Sequence, residues 1–215
     1  MSTRSETWPQ ADSTDISTGS DLGTWAEDNG DVAVVSNHIE DVTGAATRCV
    51  ARDTGGVTTA DHKATAVVAI STSTTAVRSA GPIARKINSG TRTHYQAEYS
   101  RRSSDLGGNL AKVVANTLTA LTSRDGLDSA SVTCVIQAVG DQISGSFNGV
   151  SQGPVTDTAI SSHTWGGFAM RWDNPASQGE TQVDTWSMED VGRTAKNTRS
   201  FPLGVNVGMG WRMGV

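Results

Sequence analysis

The sequence predicts an all-β domain, a sandwich or closed barrel of roughly ten short strands. Three observations carry that reading. Apolar residues recur with period two in one run after another, and turn formers stand between the runs. The composition is 36% hydrophobic and 18% charged, with 23 Gly and abundant Ser and Thr. Low charge with many Gly and Thr fits short strands joined by tight turns and argues against a chain held open by self-repulsion. At 215 residues the chain has the length of one sandwich, since such folds commonly run to about 200–250 residues as a single domain. It needs no disulfide or metal staple to form a core.

The elements follow in order. Val32 to Ile39, Thr47 to Arg52, Thr65 to Ile70, Pro82 to Ile87 and Thr93 to Tyr99 each have strand length. Gly55-Gly56 and Asn88-Ser89-Gly90 separate some of them. Asn109 to Ser123 reads two ways. Leu110, Val114, Leu118 and Leu121 fit a helical stripe, whereas Val113, Val114, Thr117, Thr119 and Thr122 suit a hairpin turning near Asn116-Thr117. An isolated helix would be out of place among so many strands, which favours the hairpin. The clearest segment comes next. In Ser131 to Ala138, Val132, Cys134, Ile136 and Ala138 point one way and Thr133, Val135 and Gln137 the other. Gly140-Asp141 and Asn148-Gly149 then bracket Gln142 to Phe147, and both pairs suit the positive φ of two-residue hairpin loops. Thr164 to Trp172 and Gln182 to Met188 complete the set. After Val191 the pattern changes to a basic polar stretch and then the Gly-rich apolar segment Phe201 to Val215.

Charge and cysteine content exclude several roles. A formal net charge of −5 is the wrong sign for a nucleic-acid binder, whose affinity rests on a basic face. The basic pair Arg101-Arg102 reads as a solvated loop. No stretch approaches the ~20 apolar residues that cross a bilayer. Met1 to Asp15 is polar and carries Glu6, Asp12 and Asp15, unlike a secretory signal; the expectation is synthesis in the cytoplasm. Cys49 and Cys134 each sit in an apolar alternating run and read as buried free thiols.

The order of short motifs resembles a known family. Glu6-Thr7-Trp8, Asp21-Leu22-Gly23-Thr24-Trp25 and Gly30 to Asn37 resemble the opening of concanavalin-A-like lectin/glucanase jelly rolls, in particular laminin-G-like versions in phage virion proteins. Pro82 to Ile87, His94 to Tyr99, Val132 to Gly149, Trp165 to Phe168 and Val183-Asp184-Thr185-Trp186 resemble later strands of that family in the same order. Glu6 stands where Asp is usual and Trp8 where Phe is usual. The resemblance implies a two-sheet antiparallel sandwich over residues 1–191, with 192–215 as a separate apolar tail and candidate anchoring arm.

The chemistry the family could carry is then weighed residue by residue. Its glucanases use alternating acids on one strand, because two carboxylates must flank the bond. Glu27-Asp28, Glu40-Asp41 and Glu189-Asp190 are adjacent pairs whose members point to opposite faces. Glu98 and Asp184 are lone acids, so no catalytic residue is assigned and no enzyme is expected. His38, His62, His94 and His163 show no ligand spacing. Calcium between the first and last strands is a family feature; Asp12 and Asp184 are the candidate ligands, too few for a six- to eight-oxygen site, and no cofactor is expected. Trp165 and Trp172 are candidates for stacking on sugars, whereas Trp25 and Trp186 read as core. The expected function is a non-enzymatic virion structural protein of a bacteriophage. Phe201, Leu203 and Trp211 would meet other virion proteins or further copies in a lattice, because an apolar segment requires cover. The alternative is a carbohydrate-binding module that recognises a host-surface glycan.

Overall fold

The computed structural model describes residues 2–8, 16, 25–30, 32–42, 47–71, 77–87, 91–102, 105–172 and 180–192. The strands are β1 (Thr3–Glu6), β2 (Trp25–Asn29), β3 (Val32–Val35), β4 (His38–Asp41), β5 (Thr47–Asp53), β6 (His62–Ile70), β7 (Arg78–Lys86) and β8 (His94–Arg102). They continue as β9 (Asp105–Val114), β10 (Thr117–Asp125), β11 (Ser131–Val139), β12 (Gln142–Phe147), β13 (Val150–Thr156), β14 (Trp165–Trp172) and β15 (Thr181–Asp190). Among the described residues the strands form two antiparallel sheets. One runs β13-β12-β11-β6-β15-β4-β3 with β1 also on β15, and the other β10-β9-β8-β7-β14-β5-β2. The expected all-β, two-sheet antiparallel sandwich is the fold.

Period two decides which face of β6, β11 and β12 is buried, whereas β7 is buried at every position. β6 alternates buried and half-buried residues from end to end, and β11 buries Val132, Cys134, Ile136 and Ala138 as the sequence predicts. Chain-distant strands share the first sheet's centre: β6 lies between β11 and β15. β1 closes against β15 with Glu6 opposite Trp186.

Turn chemistry sets the hairpins. Asn148-Gly149 has positive φ at both positions, as does Ala115-Asn116 between β9 and β10, the geometry of type I′ turns. Asn109 to Ser123 is therefore a hairpin, turning one residue earlier than expected. One reading is corrected: Val32 to Ile39 is not a single strand. Ser36 and Asn37 both adopt positive φ, so the segment folds back as β3 and β4 with Val34 opposite Ile39.

The chain has six Trp against two Tyr and three Phe, and Trp8, Trp25, Trp172 and Trp186 lie in the core. Trp8, Trp25, Phe168 and Trp186 pack as one aromatic cluster, with Trp25 and Trp186 at 4.9 Å and Trp8 and Trp25 at 5.4 Å between ring centroids. Each such ring removes about 150–250 Å² from water, worth roughly 4–6 kcal/mol at about 25 cal/mol per Å². The Trp186 indole N–H donates to the Gly167 carbonyl at 2.8 Å and so ties β15 to β14 across the sandwich. Glu6 is buried, and its carboxylate accepts the Thr7 and Trp8 amides at 3.2 Å, holding Trp8 at a φ of 52°. That contact is the physical content of the acid–x–aromatic opening. Cys49 and Cys134 are buried free thiols.

Candidate functional site

The second sheet has a polar face turned away from the core, and this face carries the site. Along β8, Tyr95, Ala97 and Tyr99 belong to the core while His94, Gln96 and Glu98 point outward. On β5 the core takes Cys49 and Ala51, leaving Arg48 and Val50 on the outer side. The row next to Glu98 is built from small side chains: Val50 faces Ala169, and Ala169 faces Gly81. Absent side chain at Gly81 lets the neighbouring backbone close in; a Cβ there would stand 1.8 Å from the Ala97 carbonyl oxygen. The result is a narrow recess of about 10 Å³, room for about one water, whose lining includes Ser79, His94, Gln96 and Glu98 with Arg48, Arg92 and Arg171. Val50 and Val113, outside the core cluster, are nonetheless buried beneath it.

Its floor is a directed hydrogen-bond chain. Ser79 Oγ donates to one Glu98 oxygen and the Gln96 amide nitrogen donates to the other. Gln96 Oε1 is then left as the acceptor for His94 Nε2–H at 3.1 Å. This fixes the neutral tautomer with its lone pair on Nδ1, and that buried atom has no hydrogen-bond partner among the described residues. Burial holds the His94 imidazole down to about 3; the charges of Lys86, Arg92 and Arg48 act in the same direction against the Gln96 bond. Arg92 is lowered from its usual range, first by burial and then by the charge of Arg48. Ser79, His94 and Gln96 are almost wholly shielded, at 1%, 1% and 3% exposure, so their orientation is set before any ligand arrives.

The residues expected from the sequence are placed as follows. Trp172 is fully buried, in phase with Phe168 and Met170 on β14, and cannot stack on a sugar from there. That expectation is corrected: its even-numbered position shares the core parity. Trp165 is half-buried at the start of β14, outside the groove lining, with the Arg52 guanidinium 5.0 Å over its ring. Arg52 also donates to Asp28, which pairs with the buried Lys86 at 2.9 Å. Asp184 lies on β15 in the opposite sheet; burial raises its carboxyl and the charge of His38 opposes that. Asp12, Phe201, Leu203 and Trp211 lie outside the described residues. Among the described residues, no group of three or more His, Cys, Asp or Glu is placed to hold a metal ion. Sequence reasoning missed the groove, although His94-x-Gln96-x-Glu98 alternating with Tyr95-x-Ala97-x-Tyr99 is a legible two-faced strand.

The two antiparallel sheets form a jelly-roll sandwich whose fold is lectin-like. No family model matches the chain, and no curated protein matches it. Solved structures do. The chain is similar to the carbohydrate-binding module CBM66 from Bacillus subtilis, at 13% identity over 78% of this chain and 93% of that one, with a TM-score of 0.53. It is also similar to the apo Crh5 transglycosylase, at 14% identity over 89% and 85% of the two chains, TM-score 0.60. The exoplasmic/lumenal domain of VIP36, in its Ca²⁺- and Man3GlcNAc-bound form, matches at 6% identity over 85% and 89%, TM-score 0.57. At such identities the likeness shows the fold alone. None of the three is a virion protein by name, so they lend the expected virion setting no support.

Proposed function

We propose that this chain is a non-enzymatic carbohydrate-binding module whose ligand lies along the groove of β5, β14, β7 and β8. The observation that carries the reading is the polar row of buried Ser79, His94 and Gln96 with half-buried Glu98, held in one hydrogen-bonded chain on the outer face of the second sheet. A few fixed polar groups set in a concave surface are how sites impose orientation on a ligand, and ring hydroxyls are suited to such a row. Two of the similar structures, a carbohydrate-binding module and a Man3GlcNAc-bound domain, support the ligand class. Binding without hydrolysis is favoured because the lining contains one carboxylate, Glu98, whereas two-acid glycoside hydrolysis requires a pair separated by about 5–9.5 Å.

The test is a glycan array read with the full chain and with Gln96→Ala. Binding to a defined set of glycans that Gln96→Ala abolishes supports the reading. Binding that survives Gln96→Ala but disappears in Trp165→Ala moves the site to the start of β14. Measurable release of reducing sugar would overturn the non-enzymatic part.

A further inference from the structure

Two Asn-Gly steps occur in the chain, Asn29-Gly30 and Asn148-Gly149, and the fold treats them differently. At such a step the glycine nitrogen can attack the side chain before it, because no Cβ stands in the way. Asn29 ends β2 and is paired with Val50 of β5. Gly30 is packed so closely that a Cβ there would lie 2.9 Å from the Cys49 Cβ and 3.0 Å from its Cα. Asn148 and Gly149 instead form the exposed two-residue loop between β12 and β13. Nothing lies within 4 Å of the place a Gly149 Cβ would take, so a ring formed there has room.

The turn also arranges the reacting groups. The Thr133 N–H donates to Asn148 Oδ1 at 2.8 Å, and the Asn148 N–H donates to the Thr133 carbonyl at 2.9 Å. A backbone N–H bonds only an acceptor, so the first contact fixes which end of the side-chain amide is oxygen. It polarises that carbonyl from within the range of about 2.7–3.1 Å at which a donor stabilises a developing oxyanion. Asn148 Nδ2, the leaving group, takes no partner among the described residues, and neither does the Gly149 N–H. Nucleophile and electrophile are neighbours in the chain, which makes the attack intramolecular.

We propose that Asn148 is a site of spontaneous covalent modification, deamidating through a succinimide while the protein is folded. The Gly149 nitrogen attacks Asn148 Cγ and the N–Cγ bond forms. The Cγ–Nδ2 bond breaks, and Nδ2 leaves as ammonia with the proton given up by the Gly149 nitrogen. Water then opens the ring. Opening at Cγ restores the ordinary backbone with an aspartate. Opening at the main-chain carbonyl carbon gives isoaspartate, whose backbone is one methylene longer. That extra methylene falls in a loop closed by Phe147 opposite Val150, so it slackens the link to β13 at the edge of the first sheet.

The experiment ages the full chain in neutral buffer, folded and in urea. Peptides covering each Asn-Gly step are followed by mass spectrometry for amide-to-acid conversion, and isoaspartate is distinguished by its fragmentation. In the folded chain the Asn148 step is expected to convert about tenfold faster than the Asn29 step, a barrier difference of about 1.4 kcal/mol. In urea the two rates should converge. Asn148→Gln, whose longer side chain must close a larger ring, should remove the conversion from its peptide; conversion that persists there overturns the assignment. A folded chain in which Asn148 stays intact while both steps convert in urea overturns the proposal, because the turn then protects the residue. Equal rates at the two steps in the folded chain also overturn it, because the fold then selects neither.

Discussion

His62 and His94 each open a strand, and each is buried as a neutral ring. His62 Nε2 accepts the Arg85 amide at 3.1 Å, and Nδ1 lies 3.3 Å from the Thr59 carbonyl to which it donates. Burial lowers His62 from 6.5 to about 4, with the nearby Arg85 charge adding and the Thr59 and Asp190 interactions opposing. His94 is held at about 3. Because both folded values lie below the unfolded one, the unfolded chain takes up more protons once pH falls below about 6.5. The stability the neutral rings contribute is complete above that point. It is lost progressively as pH falls towards the folded values. At about 1.4 kcal/mol per unit, each ring costs roughly 3 kcal/mol between about pH 7 and about pH 4, together about 6 kcal/mol. Domains of this kind hold about 5–15 kcal/mol in total, so acid should bring the sandwich close to unfolding. Asp190 acts in a lower window. Burial alone would raise it, but hydrogen bonds from Thr58, Ser2 and Thr59 hold it below 3.8, so its contribution is lost only under about pH 4. Urea unfolding followed by fluorescence of the buried tryptophans, repeated along the pH series, reads the slope. His62→Gln keeps an acceptor and a donor and should remove about half of it. An unfolding free energy that is flat between about pH 7 and about pH 5, or a slope unchanged in the double variant with His94→Gln, would refute the argument.

Other expectations follow from the same contacts. Trp186→Phe removes the donor to the Gly167 carbonyl and leaves a gap in the aromatic cluster; a loss of about 2–4 kcal/mol is expected in denaturant melts. Cys134 is pushed well above the usual thiol range by burial, so a thiol reagent should leave the native chain unlabelled and react promptly in urea. Tyr95→Phe deletes the hydroxyl that donates to Asp157 at 2.6 Å and accepts the Ile160 amide, and should cost about 1–3 kcal/mol without changing glycan binding. Residues 193–215 lie outside the described residues, and the division expected from the sequence after Val191 is tested by deleting 192–215. The thermal midpoint should hold, and mass spectrometry of purified particles should reveal whether the full chain is a virion component and the truncated one is not.

How much of this was legible follows from the range of the forces involved. Alternation is a local property, so β11, β12 and most other strands could be read directly, and Gly140-Asp141 and Asn148-Gly149 marked their turns because few residues tolerate positive φ. The same parity, applied to β14, would have placed Trp172 with Phe168 and Met170 in the core. The Val32–Ile39 run misled because a Ser-Asn turn looks polar and unremarkable until both residues are seen at positive φ.

The sequence by itself determined the strands, their turns and the sandwich class, since each follows from neighbours a few positions apart. The site was decided by tertiary structure. Arg48, Ser79, Glu98 and Arg171 come from four strands, and no spacing between such positions carries a signal. They meet because hydrogen-bonded pairing puts β14 between β5 and β7, and because the small residues Gly81 and Ala169 leave room above the sheet. Strand order is fixed by which apolar faces pack best across the whole domain, a global choice that no local pattern records.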